Sequence, residues 1–64
     1  MPRLPRTEYT PAMLRLDARR ADAAHEYRYY ARLGDLTNEE RADKARAYAR
    51  LIRLERTLAR LTAC

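Results

Sequence analysis

The sequence has too little cysteine, histidine and uninterrupted apolar sequence for several common classes of small protein. Its single cysteine, Cys64, cannot form a disulfide within the chain, and one cysteine with one histidine cannot supply the four ligands of a structural zinc site. No segment approaches the roughly 18 apolar residues of a membrane span, and the first residues lack the apolar core of a secretory signal. We therefore expect a soluble, cytoplasmic protein without metal, cofactor or membrane, and we assign no role to Cys64.

The residue sets that catalysis requires are also missing. The sequence contains no Ser–His–Asp or Cys–His set that could meet on its helices, no glycine-rich phosphate loop and no paired-cysteine motif. His25 falls on the polar side of the first predicted helix, where it is expected to be exposed. A general base needs a nucleophile or a substrate cleft, and a short helical chain without long loops offers neither. The sequence predicts a non-catalytic protein with no small-molecule substrate.

The first half of the chain predicts an arm followed by a helix. Residues 1–9 hold two prolines and no helical period, which is typical of a flexible, extended arm. Thr10 and Pro11 form a helix start, because a hydroxyl can accept from a free backbone N–H and proline suits the first helical position. This helix should cover about 11–33. Gly34, the only glycine, is expected to end it in the left-handed conformation.

The second half predicts one more helix and, with it, the fold class. Thr37 and Glu40 have the spacing of a capping box, which starts a helix over about 38–62. The turn at 34–37 is so short that two long helices must fold back on each other. The sequence therefore predicts an all-α protein, an antiparallel two-helix hairpin.

Helix 2 carries more apolar surface than one neighbouring helix can cover. One group follows heptad spacing: Ala47, Leu51, Leu54, Leu58 and Leu61. A second row lies beside it: Ala45, Tyr48, Ile52 and Ala59. Helix 1 offers an apolar arc that includes Leu16, Tyr27 and Tyr30. We expect two hairpins to pair into a homodimer, a dimeric four-helix bundle whose core these residues form.

In length, hairpin layout and all-helical character, the predicted chain resembles the Rop type of plasmid RNA-binding protein, which is a dimeric four-helix bundle. The resemblance concerns architecture. No sequence motif is shared over any part of the chain, so no residue role is carried over from that family.

The net charge of +5 is concentrated in the last third of the chain. Residues 44–64 contain six basic residues and one acid, whereas the rest of the chain has eight of each. On a helix that turns about 100° per residue, five arginines lie on one face or at its margin: Arg46, Arg50, Arg53, Arg56 and Arg60. Guanidinium groups suit phosphates, but the same stripe is also explained as a solvated face that limits self-association.

The sequence thus predicts a small regulatory binding protein. The first hypothesis is that the five arginines bind RNA or DNA phosphates; the alternative is an inhibitor or adaptor that docks on an acidic partner protein. Among three neighbouring tyrosines of helix 1, only Tyr29 points outward by helical phase. An exposed tyrosine can stack on a base or anchor an interface, so Tyr29 joins the candidate binding residues.

Overall fold

The structure is a computed structural model that describes residues 2–63, which form an all-helical hairpin. A short 3₁₀ turn at Arg6–Glu8 precedes two long helices, α1 at Pro11–Arg32 and α2 at Asn38–Thr62. The two helices pack against each other, and the hairpin measures 42 × 18 × 16 Å. The interpretation of Cys64 as a residue without a role lies outside the described residues.

Both helices begin where their capping signals predict. The Thr10 hydroxyl accepts a hydrogen bond from the Met13 N–H at 3.2 Å, and proline occupies the first position of α1. At the start of α2, the Glu40 N–H donates to the Thr37 hydroxyl at 3.1 Å, and the Thr37 N–H donates to the Glu40 carboxylate at 2.9 Å. The capping box is therefore confirmed, and it satisfies two backbone N–H groups that the first turn leaves free.

The end of α1 differs from the prediction for Gly34. The chain leaves the helix at Leu33, which has an extended conformation (φ −75°, ψ 119°), and its N–H donates to the Tyr30 carbonyl at 3.2 Å. No glycine or other residue of the described chain has a positive φ. The expected left-handed Gly34 is therefore wrong, because an extended Leu33 already redirects the chain into the turn.

Replacing Gly34 with alanine is expected to raise the free energy of unfolding by about 0.4–1 kcal/mol. A Cβ built at Gly34 meets no other atom within 4 Å, and the native φ is one that alanine adopts freely. Alanine restricts the unfolded chain more than glycine does, so the gain comes from the unfolded state. Urea unfolding at one chain concentration measures the change. A loss of about 1–2 kcal/mol would instead indicate a left-handed residue at this position.

The hydrophobic core of a single hairpin is small. Its buried apolar residues are Ala23, Ala24, Ala47 and Leu58. Other residues predicted for the core are only half-buried: Leu16, Tyr27, Tyr30, Leu51, Ile52 and Leu54. Tyr48, also predicted for the core, is 49% exposed. The alanines let the two helices approach closely, while the larger apolar side chains lie along the edges of the contact.

At the C-terminal end of α2, the residues that contact α1 no longer follow the heptad spacing. Leu61 is 46% exposed, whereas Thr62 is 1% exposed. A straight α-helix drifts about 20° per heptad relative to a strict seven-residue repeat, so the residue four positions after Leu58 turns inward instead of the one three positions after it. The Thr62 hydroxyl is satisfied there by donating to the Leu58 carbonyl at 2.8 Å. Within a single hairpin, Leu61 therefore lies outside the contact between the two helices, and its predicted place in a dimer core stays a prediction.

The N-terminal segment, predicted as a flexible arm, lies against the end of α2 in the structure. The Leu4 N–H donates to the Thr62 carbonyl at 2.8 Å, and Arg3 pairs with Ala63 in a single antiparallel bridge. The last carbonyls of a helix have no partner within the helix, so they can accept from a neighbouring chain segment. Tyr9, at the end of the arm, is half-buried.

Candidate nucleic-acid interface

The five arginines predicted for binding are all exposed on α2, but they fall into two groups. Arg46 forms an ion pair with Asp43 on the same helix, and Arg50 lies 3.5 Å from the Glu26 carboxylate on α1. The other three make no ion pair within 4 Å in the described part of the chain: Arg53, Arg56 and Arg60. Exposed ion pairs contribute about 0–1 kcal/mol, so the first group is held only weakly.

The three arginines of the second group line one groove on the outer side of α2, which we call the arginine groove. Its volume is about 790 Å³, and its other lining residues are Tyr48, Ala49, Ile52 and Thr57. From Arg53 to Arg60 the groove follows the helix for about 10 Å, at a rise of about 1.5 Å per residue. The site therefore combines three cations with an apolar floor.

A second groove lies between the helices and contains an arginine that the sequence reasoning missed. It measures about 560 Å³ and is lined by Arg19, Asp22, Arg50, Arg53 and Leu54. Arg19 belongs to α1, so its position beside the α2 arginines depends on the register of the two helices, which residue spacing does not reveal. Arg53 lines both grooves and connects them into one basic surface.

Tyr48 connects the arginine groove to an aromatic site near the turn. The ring centroids of Tyr27 and Tyr48 are 5.3 Å apart, and the Lys44 ammonium lies 5.7 Å from the centre of the Tyr27 ring. The second distance is within the range of a cation–π interaction. Tyr48 lines both this site, whose volume is about 520 Å³, and the arginine groove. Its ring is about half exposed and lines the same groove as the three cations.

Tyr29 is exposed, as its helical phase predicts, but it lies away from the arginine groove. Its ring packs edge-on against Tyr30 at 5.3 Å on α1. The Tyr30 hydroxyl donates to Asp43 at 3.5 Å, and burial together with the carboxylates of Asp43 and Glu26 raises the pKa of this phenol. The structure thus does not bring Tyr29 together with the five arginines.

A buried carboxylate, Asp17, occupies the end of the hairpin where the arm lies. Its side chain accepts from the Arg20 guanidinium at 2.9 Å and lies 3.4 Å from that of Arg6. The adjoining cavity of about 430 Å³ is also lined by Arg3 and Glu55. Because Asp17 already has two cationic partners, we interpret it as a structural residue. In the sequence, the only sign of the Asp17–Arg20 ion pair is the spacing of three residues between them.

The described residues contain few other side chains that could act in catalysis or bind a metal. His25 is exposed, and residues 2–63 contain no group of three His, Cys, Asp or Glu side chains that could hold a metal ion. Neither described helix is long and apolar enough to span a bilayer. No protein-family model matches the sequence, and the comparisons found no similar curated protein and no similar solved structure.

Proposed function

We propose that this protein is a small, non-catalytic regulatory protein that binds RNA or DNA through the arginine face of α2. The observation that carries the proposal is the arginine groove, where Arg53, Arg56 and Arg60 lie together without an acidic partner in the described chain. Guanidinium groups bind phosphate oxygens in a bidentate manner, and three of them on one helix face can contact successive phosphates.

The position of the groove also has a purely structural explanation, which the experiment must exclude. The C-terminus of a helix carries a partial negative charge, which favours cations such as Arg60 in the last turn. That effect falls off beyond the last turn, and it does not account for Arg53. Arg53 belongs to both basic grooves and is the arginine for which a ligand is the better explanation.

We further propose that the binding form is a homodimer, a four-helix bundle made of two hairpins. The support is the small core, which contains Leu58 as its only large buried apolar side chain among the described residues. A chain of this length buries only about 60% of the surface of its unfolded form, so a second copy is an effective source of additional stability.

An acidic partner protein is the second candidate ligand. The exposed Tyr48 beside the arginine groove favours it, because tyrosine and arginine are enriched among the residues that dominate binding at protein interfaces. The two candidates differ in how the interaction responds to salt and to nuclease.

The first test measures binding of the intact protein to fluorescently labelled RNA and DNA oligonucleotides over a series of salt concentrations. Phosphate binding releases counterions, so affinity should fall with a log–log slope of about −0.9 per phosphate on duplex DNA and about −0.7 on single strands. Three contacts predict slopes of about −2.7 and −2.1. No detectable binding at low salt would refute a nucleic-acid ligand. A pull-down from lysate with and without nuclease tests the alternative, and a captured acidic protein that survives nuclease would favour it.

A further inference from the structure

The groove between the two helices is a second basic site beside the arginine groove. We call it the interhelical groove. Its volume is about 560 Å³, and its lining residues are Arg19, Asp22, Arg50, Arg53 and Leu54. The first two belong to α1 and the other three to α2. Guanidinium groups from both helices therefore line one cavity.

Two of these three arginines have no acidic partner. Arg50 lies 3.5 Å from the Glu26 carboxylate. Arg19 and Arg53 make no ion pair in the described part of the chain. Asp22, which also lines the groove, is three residues from Arg19 but does not pair with it within 4 Å. Three cations against two carboxylates leave one net positive charge, so the interhelical groove favours an anion.

Arg53 joins the interhelical groove to the arginine groove. Around the axis of α2, Arg50 lies about 60° from Arg53 on the side of α1, and Arg56 lies about 60° to the other side. Because Arg53 lines both grooves, one basic surface continues from the outer side of α2 onto α1. The axes of packed helices are about 8–10 Å apart, so a phosphate backbone in the arginine groove has only a short distance to cross.

We propose that the interhelical groove binds a further phosphate of the same nucleic acid, with Arg19 of α1 as a binding residue. This inference rests on the proposed function and extends its site from one helix to both. Guanidinium groups bind phosphate oxygens through paired N–H donors, and Arg19 gives up no ion pair in the described chain when it does so. Arg50 gives up only an exposed ion pair, which is weak.

The position of Arg19 is not explained by the stability of its own helix. It lies about two turns from the start of α1 and farther from the end, whereas the helix dipole acts on charges in the first and last turns. The remaining structural explanation is a solvated cation that responds only to overall charge, and the experiment must exclude it.

The first pair of variants compares Arg19→Gln with Arg28→Gln. Both arginines are exposed on α1 and make no ion pair in the described chain, but they lie about 180° apart around the helix. Fluorescence anisotropy with labelled RNA and DNA oligonucleotides measures affinity over a series of salt concentrations. Arg19→Gln should weaken binding about fivefold to tenfold and reduce the salt slope by about one unit. Arg28→Gln should weaken it less than about twofold.

The second pair tests the same groove with a change of opposite sign. Asp22→Asn removes a carboxylate that repels a phosphate, so binding should strengthen about twofold to threefold. Its control is Asp35→Asn, which removes the same charge from the turn, more than about 20 Å along the hairpin from Arg53. The control should change affinity less than Asp22→Asn does, because salt screens charges at that distance.

The outcomes separate this inference from the proposed function. Weaker binding of Arg19→Gln than of Arg28→Gln, with stronger binding of Asp22→Asn than of Asp35→Asn, supports the second phosphate site. Equal affinities within either pair overturn it, even where the arginine groove itself proves necessary for binding. Absence of any binding by the unmodified protein would overturn both proposals. Circular dichroism and sedimentation check that each variant keeps the helicity and the mass of the unmodified protein.

Discussion

Replacing Leu58 with alanine is expected to lower the free energy of unfolding by about 2–4 kcal/mol. Leu58 is 8% exposed and is the only large apolar side chain buried between the helices in the described chain. The alanine variant no longer buries the isobutyl group. It also leaves a cavity between the helices, which can move together only in part to fill it. A domain of this length is stable by about 3–10 kcal/mol, so the variant loses a large part of its stability. Urea unfolding followed by circular dichroism measures the effect.

The matched control is Leu61→Ala. Leu61 is the residue that heptad spacing places beside Leu58, but it is 46% exposed in the structure. Its truncation should change stability by about 0.5 kcal/mol, as is usual for surface positions. Both variants must be compared at the same chain concentration, because unfolding of a dimer depends on it. Equal losses for the two variants would show that the contact follows the heptad as the sequence predicts and would contradict the structure.

The features that sequence reasoning predicted correctly are local ones. Each helix start depends on residues within three positions of the cap, as with Thr10 and Met13 or Thr37 and Glu40. The hairpin follows from the short turn between two long helices. Such features are specified by the backbone donors and acceptors of one helical turn, so a single sequence is sufficient to predict them.

The features that it missed depend on how separate segments meet. The inward position of Thr62 results from helix drift over several turns and from the contact with Leu4 of the arm. Buried Asp17 forms an ion pair with Arg6, which belongs to a segment that the sequence presents as a flexible tail. Extended Leu33 rather than Gly34 redirects the chain, and both conformations are compatible with the same residues.

For the candidate site too, the sequence predicted the local features but not those that depend on how the two helices meet. Helical phase alone placed the five arginines on the exposed side of α2. It could not show that Arg50 lies near Glu26, nor that Arg19 of α1 joins Arg53, because both depend on the register between the helices. Only the structure separates the three arginines that make no ion pair within residues 2–63 from the two that make one.

This separation predicts the largest functional effect. Replacing the three residues of the arginine groove with glutamine, Arg53→Gln, Arg56→Gln and Arg60→Gln together, should weaken nucleic-acid binding at least about a hundredfold, at about 1 kcal/mol or more per contact. The salt dependence should lose about one unit of slope per phosphate contact removed. Glutamine keeps good helix propensity, so the helical circular dichroism should persist.

The control for the groove removes the same charge from another surface. Arg15, Arg28 and Arg32 lie exposed on α1 and make no ion pair in the described chain, so their replacement with glutamine lowers the net charge by the same amount. If the ligand responds only to overall charge, the two triple variants should weaken binding equally, because screened long-range attraction depends little on which face carries the charge. If the groove is the site, the α1 variant should lose less than about tenfold in affinity for the oligonucleotide. The slope of its affinity against salt concentration should stay close to that of the unmodified protein. Equal losses of affinity in the two triple variants would show that the arginine groove is only a solvated helix face. This conclusion would hold whatever the total affinity of the protein for nucleic acid.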